Sequence, residues 1–113
     1  MQEHSERPWG NYTKFFQESG VWVKRVEVKP GARLSLQKHS HRSEKWIIVT
    51  GEGTVTLGCK EIKVKASSIV DIPLGATHRI ANTGKIALVF IEVATGDYLA
   101  EDDIIRLQDD YAR

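Results

Sequence analysis

Cysteine is almost missing from this chain. Cys59 is the only one in 113 residues, so neither an intramolecular disulfide nor a cysteine-built structural zinc site can form. Beside Gly58 it reads as an ordinary turn or strand residue. Charge of one sign is lacking as well. Sixteen lysines and arginines face fifteen acidic residues, and the resulting formal charge of +1 is not the excess of a dedicated nucleic-acid binder. Long apolar runs are absent too. No stretch approaches the ~20 residues that span a bilayer, and the polar start of the chain has no apolar signal core. The expectation is a cytoplasmic protein with no membrane and no nucleic-acid partner. With only three prolines and 41% hydrophobic residues, the chain can bury a core, and its length suits one domain.

Between Val21 and Thr95 the sequence consists of short β-branched runs punctuated by glycine, proline or polar residues. Strands are expected near 23–28, 33–39, 45–50, 53–57, 61–65, 68–72, 78–82 and 87–93. Turn signals lie between them: Pro30-Gly31, Gly51-Glu52-Gly53, Gly58-Cys59, Pro73-Leu74-Gly75 and Thr83-Gly84. This is the pattern of an antiparallel sandwich or barrel. Residues 1–20 read as an N-terminal arm, partly docked through Trp9 and Tyr12, and 21–97 as the barrel. In 98–113, Glu101, Asp102 and Asp103 precede Ile104, Ile105 and Leu107, which suggests a short acidic helix packed on the barrel.

Side chains alternate along a strand, so Arg33, Ser35, Gln37, His39 and His41 should share one face, with Leu34 and Leu36 on the other. A polar face can meet solvent or line a barrel lumen. Two histidines two residues apart set imidazoles side by side, with Glu44 close behind. A His-x-His pair alone is as often an exposed strand as a site. Here Pro73-x-Gly75-x-x-His78-x-x-x-Asn82 adds a turn that presents a third imidazole. Histidines plus one carboxylate leave positions open on a borderline metal.

These two motifs resemble those of the cupin superfamily. Gly31, His39, His41, Glu44 and Gly51 answer to the first motif, and Pro73, Gly75, His78 and Asn82 to the second. Gly31 lies further from His39, and His41 nearer to Glu44, than the common form has them. A closer resemblance, to the bacterial type II phosphomannose isomerases, covers nearly the whole chain. It includes Arg7-Pro8-Trp9-Gly10-Asn11-Tyr12, the segment 30–37, His39-Ser40-His41-Arg42-Ser43-Glu44, the segments 72–79 and 82–85, and the acidic stretch 96–104. In that family the domain is usually fused to a mannose-1-phosphate guanylyltransferase; here it reads as standing alone. Where the family often has histidine after the glutamate, this chain has Lys45, which alternation turns away from Glu44.

The resemblance implies an all-β, single-domain cupin, a double-stranded β-helix or jelly-roll barrel, that interconverts mannose 6-phosphate and fructose 6-phosphate. It implies one divalent metal ion, zinc first and manganese, iron, cobalt or nickel next, on His39, His41, Glu44 and His78. Type I isomerases use a Gln-x-His pair on the corresponding strand, so Gln37 stands as an alternative to His41. Arg33 and Arg79 are the first choices for binding the phosphate of a sugar-phosphate substrate, with Lys45 and Arg42 behind them, because guanidinium matches phosphate bidentately. Arg33 and Arg79 are equally readable as surface charges, and Lys45 is more readily so. Trp22 and Trp46 are more naturally core than pocket wall. No residue stands out as general base. A non-catalytic sugar-binding cupin and another cupin enzyme, an epimerase or dioxygenase, are the rivals. Outward-facing Leu34 and Leu36 and the edges of the sheets point to a homodimer.

Overall fold

Alternating apolar and polar residues produce eleven strands in the computed structural model, which describes residues 2–111. They are β1 (Glu3–Arg7), β2 (Gly10–Glu18), β3 (Val21–Val28), β4 (Leu36–Lys38), β5 (Arg42–Thr50), β6 (Glu52–Leu57), β7 (Lys60–Lys65), β8 (Ile69–Ile72), β9 (His78–Asn82), β10 (Leu88–Gly96) and β11 (Ile105–Gln108). All ladders are antiparallel. A six-stranded sheet runs β1-β2-β3-β10-β5-β8, and a five-stranded sheet runs β11-β4-β9-β6-β7. The inward faces of the two sheets share one core, which includes Val26, Trp46, Ile48, Ile80, Leu88 and Phe90. No helix among the described residues is long and apolar enough to cross a membrane.

The N-terminal arm is a hairpin. β2 pairs with β3 along its length, and Trp9 in the turn is buried in the core. Gly10 permits this seating. A Cβ there would lie 2.0 Å from the Glu27 carbonyl oxygen, so any other residue would push the hairpin off β3.

Among the described residues the acidic C-terminal helix does not form. Its acidic residues serve other groups: Glu101 reaches Lys24, and the Asp103 carboxylate binds backbone near residue 40. Residues 105–108 then pair with the edge strand β4, Ile105 opposite Lys38 and Arg106 opposite Gln37. A β-branched pair beside an open edge finds its hydrogen bonds there. Residues 112–113 lie outside the described part.

The strand expected over 33–39 is also shorter, since only 36–38 is regular and Arg33 makes an isolated bridge to Ala81. Leu34 and Leu36 are not an open outer face. Both are half-buried, and Leu34 packs against the core.

Candidate functional site

Two bends and two strands bring three donors together. On β5 the inward positions are Arg42, Glu44, Trp46 and Ile48, all buried, while Lys45 faces out and pairs with Asp71. His39 closes the polar inward run Ser35, Gln37, His39 next to β4, and His78 opens β9 directly after the Pro73–Gly75 turn. Potential ligand atoms of His39, Glu44 and His78 all lie within 4.8 Å of one another, and all three residues are buried.

The outer ring atoms explain how these imidazoles are aimed. His39 Nδ1 lies 2.7 Å from the Asp103 carbonyl oxygen, and His78 Nδ1 lies 3.0 Å from that of Ala76. A carbonyl only accepts, so each Nδ1 carries the proton and each Nε2 offers its lone pair inward. His39 Nε2 is 3.3 Å from Glu44 Oε2. Burial pushes the His39 pKa down, and the neighbouring Arg42 and His78 add to this against the pull of Glu44. Burial alone would raise the Glu44 pKa. The opposing charges of His39, Arg42 and His78 and the hydrogen bond from Arg42 overcome it and hold the carboxyl at about 2. Of these we take the Arg42 guanidinium as decisive, because His39 itself is held neutral. Arg42 Nε donates to Glu44 Oε2 at 2.8 Å and Trp46 Nε1 to Oε1 at 2.9 Å.

Two inward-facing imidazole nitrogens and one fixed carboxylate fit a borderline divalent ion, with room left for other ligands. Gln37 is buried beside them, opposite His78 in the β4–β9 register. Its amide nitrogen donates to Ser35 Oγ at 3.1 Å, which leaves the amide oxygen as the atom to turn inward.

His41 does not join this group. The chain bends at Ser40 and His41, because the Asp103 carboxylate accepts both backbone N–H groups at 2.8 and 2.9 Å. The bend breaks the alternation that began on β4, so the His41 ring turns outward, half-exposed, to Asp97 Oδ1 at 3.3 Å and to the edge of Tyr98. Gly96 lets β10 approach this bend; a Cβ there would lie 2.0 Å from the His41 carbonyl oxygen. The short interval from His41 to Glu44 is thereby explained. Counted from His39, which does face inward, four residues intervene.

Nor does the structure place Arg33 in the pocket around the triad. It is exposed, forked onto Asp110 at 2.7 and 3.0 Å, and lines a second groove. Arg79 lines both, with Nε on the Leu34 carbonyl at 2.8 Å and its amino groups on Gln108, so it ties β11 to β9. Trp46 is both core and pocket wall, whereas Trp22 is fully buried beneath the Arg42 guanidinium.

Sequence reasoning missed several charged residues around this pocket, Glu92, Lys24 and Arg7 among them. Glu92 is buried and accepts from Trp22 Nε1 at 2.8 Å. Burial and the negative Glu44 push its pKa up to about 7, against Lys24, Arg42 and the Trp22 hydrogen bond. Lys24, also buried, pairs with Glu101 at 2.7 Å. Arg7 reaches the pocket from β1. The signal for Glu92 and Lys24 was present: each sits at an inward position of a strand whose other inward residues are apolar, Leu88, Phe90 and Ala94 on β10 and Trp22, Val26 and Val28 on β3.

Two antiparallel sheets closed around a buried His-Glu-His cluster define a cupin. Solved structures with this fold include an oxalate decarboxylase (TM-score 0.81, 22% identity, 94% of this chain and 30% of that one). They also include the capsular polysaccharide assembling protein CapF of Staphylococcus aureus (TM-score 0.79, 24% identity, 96% and 33%).

Within the cupins, residues 1–109 match the family described as Mannose-6-phosphate isomerase C-terminal, and the chain belongs to that family. It is 50% identical over 107 residues to the xanthan biosynthesis protein XanB of Xanthomonas campestris (95% of this chain, 23% of that one) and 49% identical over 114 residues to the alginate biosynthesis protein AlgA of Pseudomonas aeruginosa (99% and 24%). It is 44% identical over 113 residues to the mannose-1-phosphate guanylyltransferase ManC of Salmonella typhimurium (100% and 24%). The chain thus spans about a quarter of the length of these relatives.

Proposed function

We propose that this chain is a metal-dependent isomerase that interconverts mannose 6-phosphate and fructose 6-phosphate. The observation that carries the reading is the buried His39, Glu44 and His78 cluster, with both Nδ1 protons tied to carbonyls, in a chain of the isomerase C-terminal family. His39, Glu44 and His78 would hold one divalent ion, zinc first, with the Gln37 amide oxygen in place of His41 as a fourth ligand. When bound, such an ion supplies a Lewis acid that stabilises an enediolate, worth several kcal/mol on the usual scale.

The chain's own groups do the rest. Glu92 takes the C2 proton of the aldose and delivers it to C1 of the enediol while the hydroxyl proton passes from O2 to O1, which leaves the ketose; a carboxyl with a pKa near 7 is matched to moving protons in both directions at neutral pH. Arg42 holds Glu44 in place and keeps it ionised. Trp46 and Phe90, their ring centres 4.7 Å apart and their planes tilted by 33°, close the apolar floor and exclude water.

A cytoplasmic homodimer completes the proposal. Its support is the exposed strip Ile47, Val49 and Ile69, with Ile47 opposite Ile69 across β5 and β8.

The test is conversion of mannose 6-phosphate by metal-depleted protein refilled with zinc, manganese, cobalt or nickel, alongside His78→Ala. Metal-dependent turnover that the variant loses is the expected result. Stoichiometric metal binding without turnover for any metal would refute the isomerase and leave a sugar-binding cupin. Iron-dependent oxygen uptake would point to an oxygenase instead.

A further inference from the structure

The segment Arg7-Pro8-Trp9-Gly10-Asn11-Tyr12 is not needed to close two sheets, and the metal cluster does not use it. The structure shows what it builds. Trp9 is locked into the core, its carbonyl accepts the Lys29 N–H at 2.9 Å, and Gly10 lies against β3 too closely for a side chain. This fixed turn sets Arg7 and Tyr12 on neighbouring strands, and both line the pocket that contains His39, Glu44 and His78. Arg7 Nη2 donates to the Tyr12 hydroxyl at 3.3 Å, and its guanidinium lies 5.4 Å from the Tyr12 ring centre.

The other cations of the pocket are committed elsewhere. Lys24 is paired with Glu101 at 2.7 Å and Arg42 with Glu44 at 2.8 Å, while Arg106 is 3.9 Å from Asp109. Arg79 is held by the Leu34 carbonyl and by Gln108. Arg7 is half-buried and, among the described residues, has no carboxylate within ion-pair distance, only a phenol that leaves most of its guanidinium donors unused. A positioned, carboxylate-free guanidinium beside a hydroxyl at a pocket wall matches a phosphoryl group, which accepts two parallel N–H bonds and carries the opposite charge.

We propose that Arg7, assisted by the Tyr12 hydroxyl, binds the phosphoryl group of a phosphorylated sugar and so makes the site selective for sugar phosphates over free sugars. The inference rests on the sugar-phosphate reading above and gives it a recognition residue. It also assigns the N-terminal hairpin a working role as a wall of the pocket.

The test is calorimetric titration of the whole chain, zinc-loaded, with mannose 6-phosphate and with mannose, for the wild type, Arg7→Ala and Arg7→Lys, with melting curves to establish folding. Loss of a charge-assisted pair should weaken mannose 6-phosphate binding roughly tenfold to a hundredfold in Arg7→Ala, while mannose binding stays within about twofold. Arg7→Lys keeps the charge, loses the fork and should fall between, so it reports on the same contact if the alanine variant folds poorly. Unchanged affinity for mannose 6-phosphate in both folded variants would overturn the inference, as would a wild type that binds the phosphorylated sugar no better than mannose. Arg7-dependent binding without turnover would uphold the inference while the isomerase reading fails. Turnover with an unchanged KM in Arg7→Ala would do the reverse.

Discussion

Replacing Asp103 by alanine should damage stability and metal binding together, because this residue joins the C-terminal stretch to the site at three points. Its carboxylate accepts the N–H groups of Ser40 and His41 at 2.8 and 2.9 Å, and its carbonyl accepts His39 Nδ1 at 2.7 Å. A bond to an ionised group contributes about 1.5–3 kcal/mol when buried. Residues 40 and 41 are exposed, so water would recover part of each bond, and we expect a loss of about 2 kcal/mol in total. For a domain of this size that lowers the melting temperature by roughly 10 °C. With its anchor gone, the 97–104 segment no longer fixes the His39 ring, and zinc affinity should fall by about 10–100-fold, the usual cost of losing a ligand's orienting partner.

Melting of the metal-free protein and competition for zinc against a chelating dye measure the two effects separately. The pH dependence supplies a third reading. Although burial opposes it, the two N–H bonds and the charge of Arg42 hold the Asp103 pKa below its ordinary 3.8. The stabilisation is therefore fully present above the unfolded value and is lost as pH falls through the lower folded one. The gap between wild type and Asp103→Ala should stay constant from neutral pH down to mildly acidic conditions and narrow only below about pH 4. A variant that melts within about 2 °C of the wild type and holds zinc equally well would refute the reasoning.

Glu92→Gln should lower turnover by about 10²–10⁴-fold if Glu92 moves the proton, while zinc stoichiometry is unchanged. Because burial raises the Glu92 pKa to about 7, the folded state favours the protonated form, and the cost of ionisation grows as pH climbs from the ordinary 4.5 towards 7. The metal-free variant should therefore gain stability over wild type at pH 8 and lose that gain by pH 5; equal melting curves at both pH values would count against it. His41→Ala should leave zinc affinity within about twofold, whereas Gln37→Ala and His39→Ala should weaken it by about tenfold or more, as read by dye competition. Arg33→Ala removes an exposed pair with Asp110 and should change KM for mannose 6-phosphate less than about twofold; a tenfold rise would return Arg33 to the phosphate site.

How much of the site could be read from the sequence depended on the range of the interactions. His39, Glu44 and His78 were legible because each lies on or next to a strand whose alternation is a local property, and because a proline-glycine turn fixes where β9 starts. The same local rule applied to Glu92 and Lys24 would have marked them, since a lone charge among inward apolar neighbours needs a reason. His41 was misplaced for a different cause. Alternation holds only while the strand continues, and the strand is ended there by a carboxylate more than sixty positions away.

The C-terminal segment follows the same logic. Its acidic start and apolar positions fit a helix turn by local propensity, yet β4 offered an unpaired edge and the pocket offered Lys24 and the N–H groups of the bend, so 105–108 became a strand.

The sequence by itself therefore determined the run of short strands between Val21 and Thr95, the all-β class and the three inward donors, because a period of two is written into neighbouring residues. Only the tertiary structure decided that the N-terminal hairpin forms a wall of the pocket, that Arg33 belongs to Asp110, and that His41 turns outward. Each of those depends on contacts between residues far apart in the chain, whose partners are chosen by the packing of one sheet on the other.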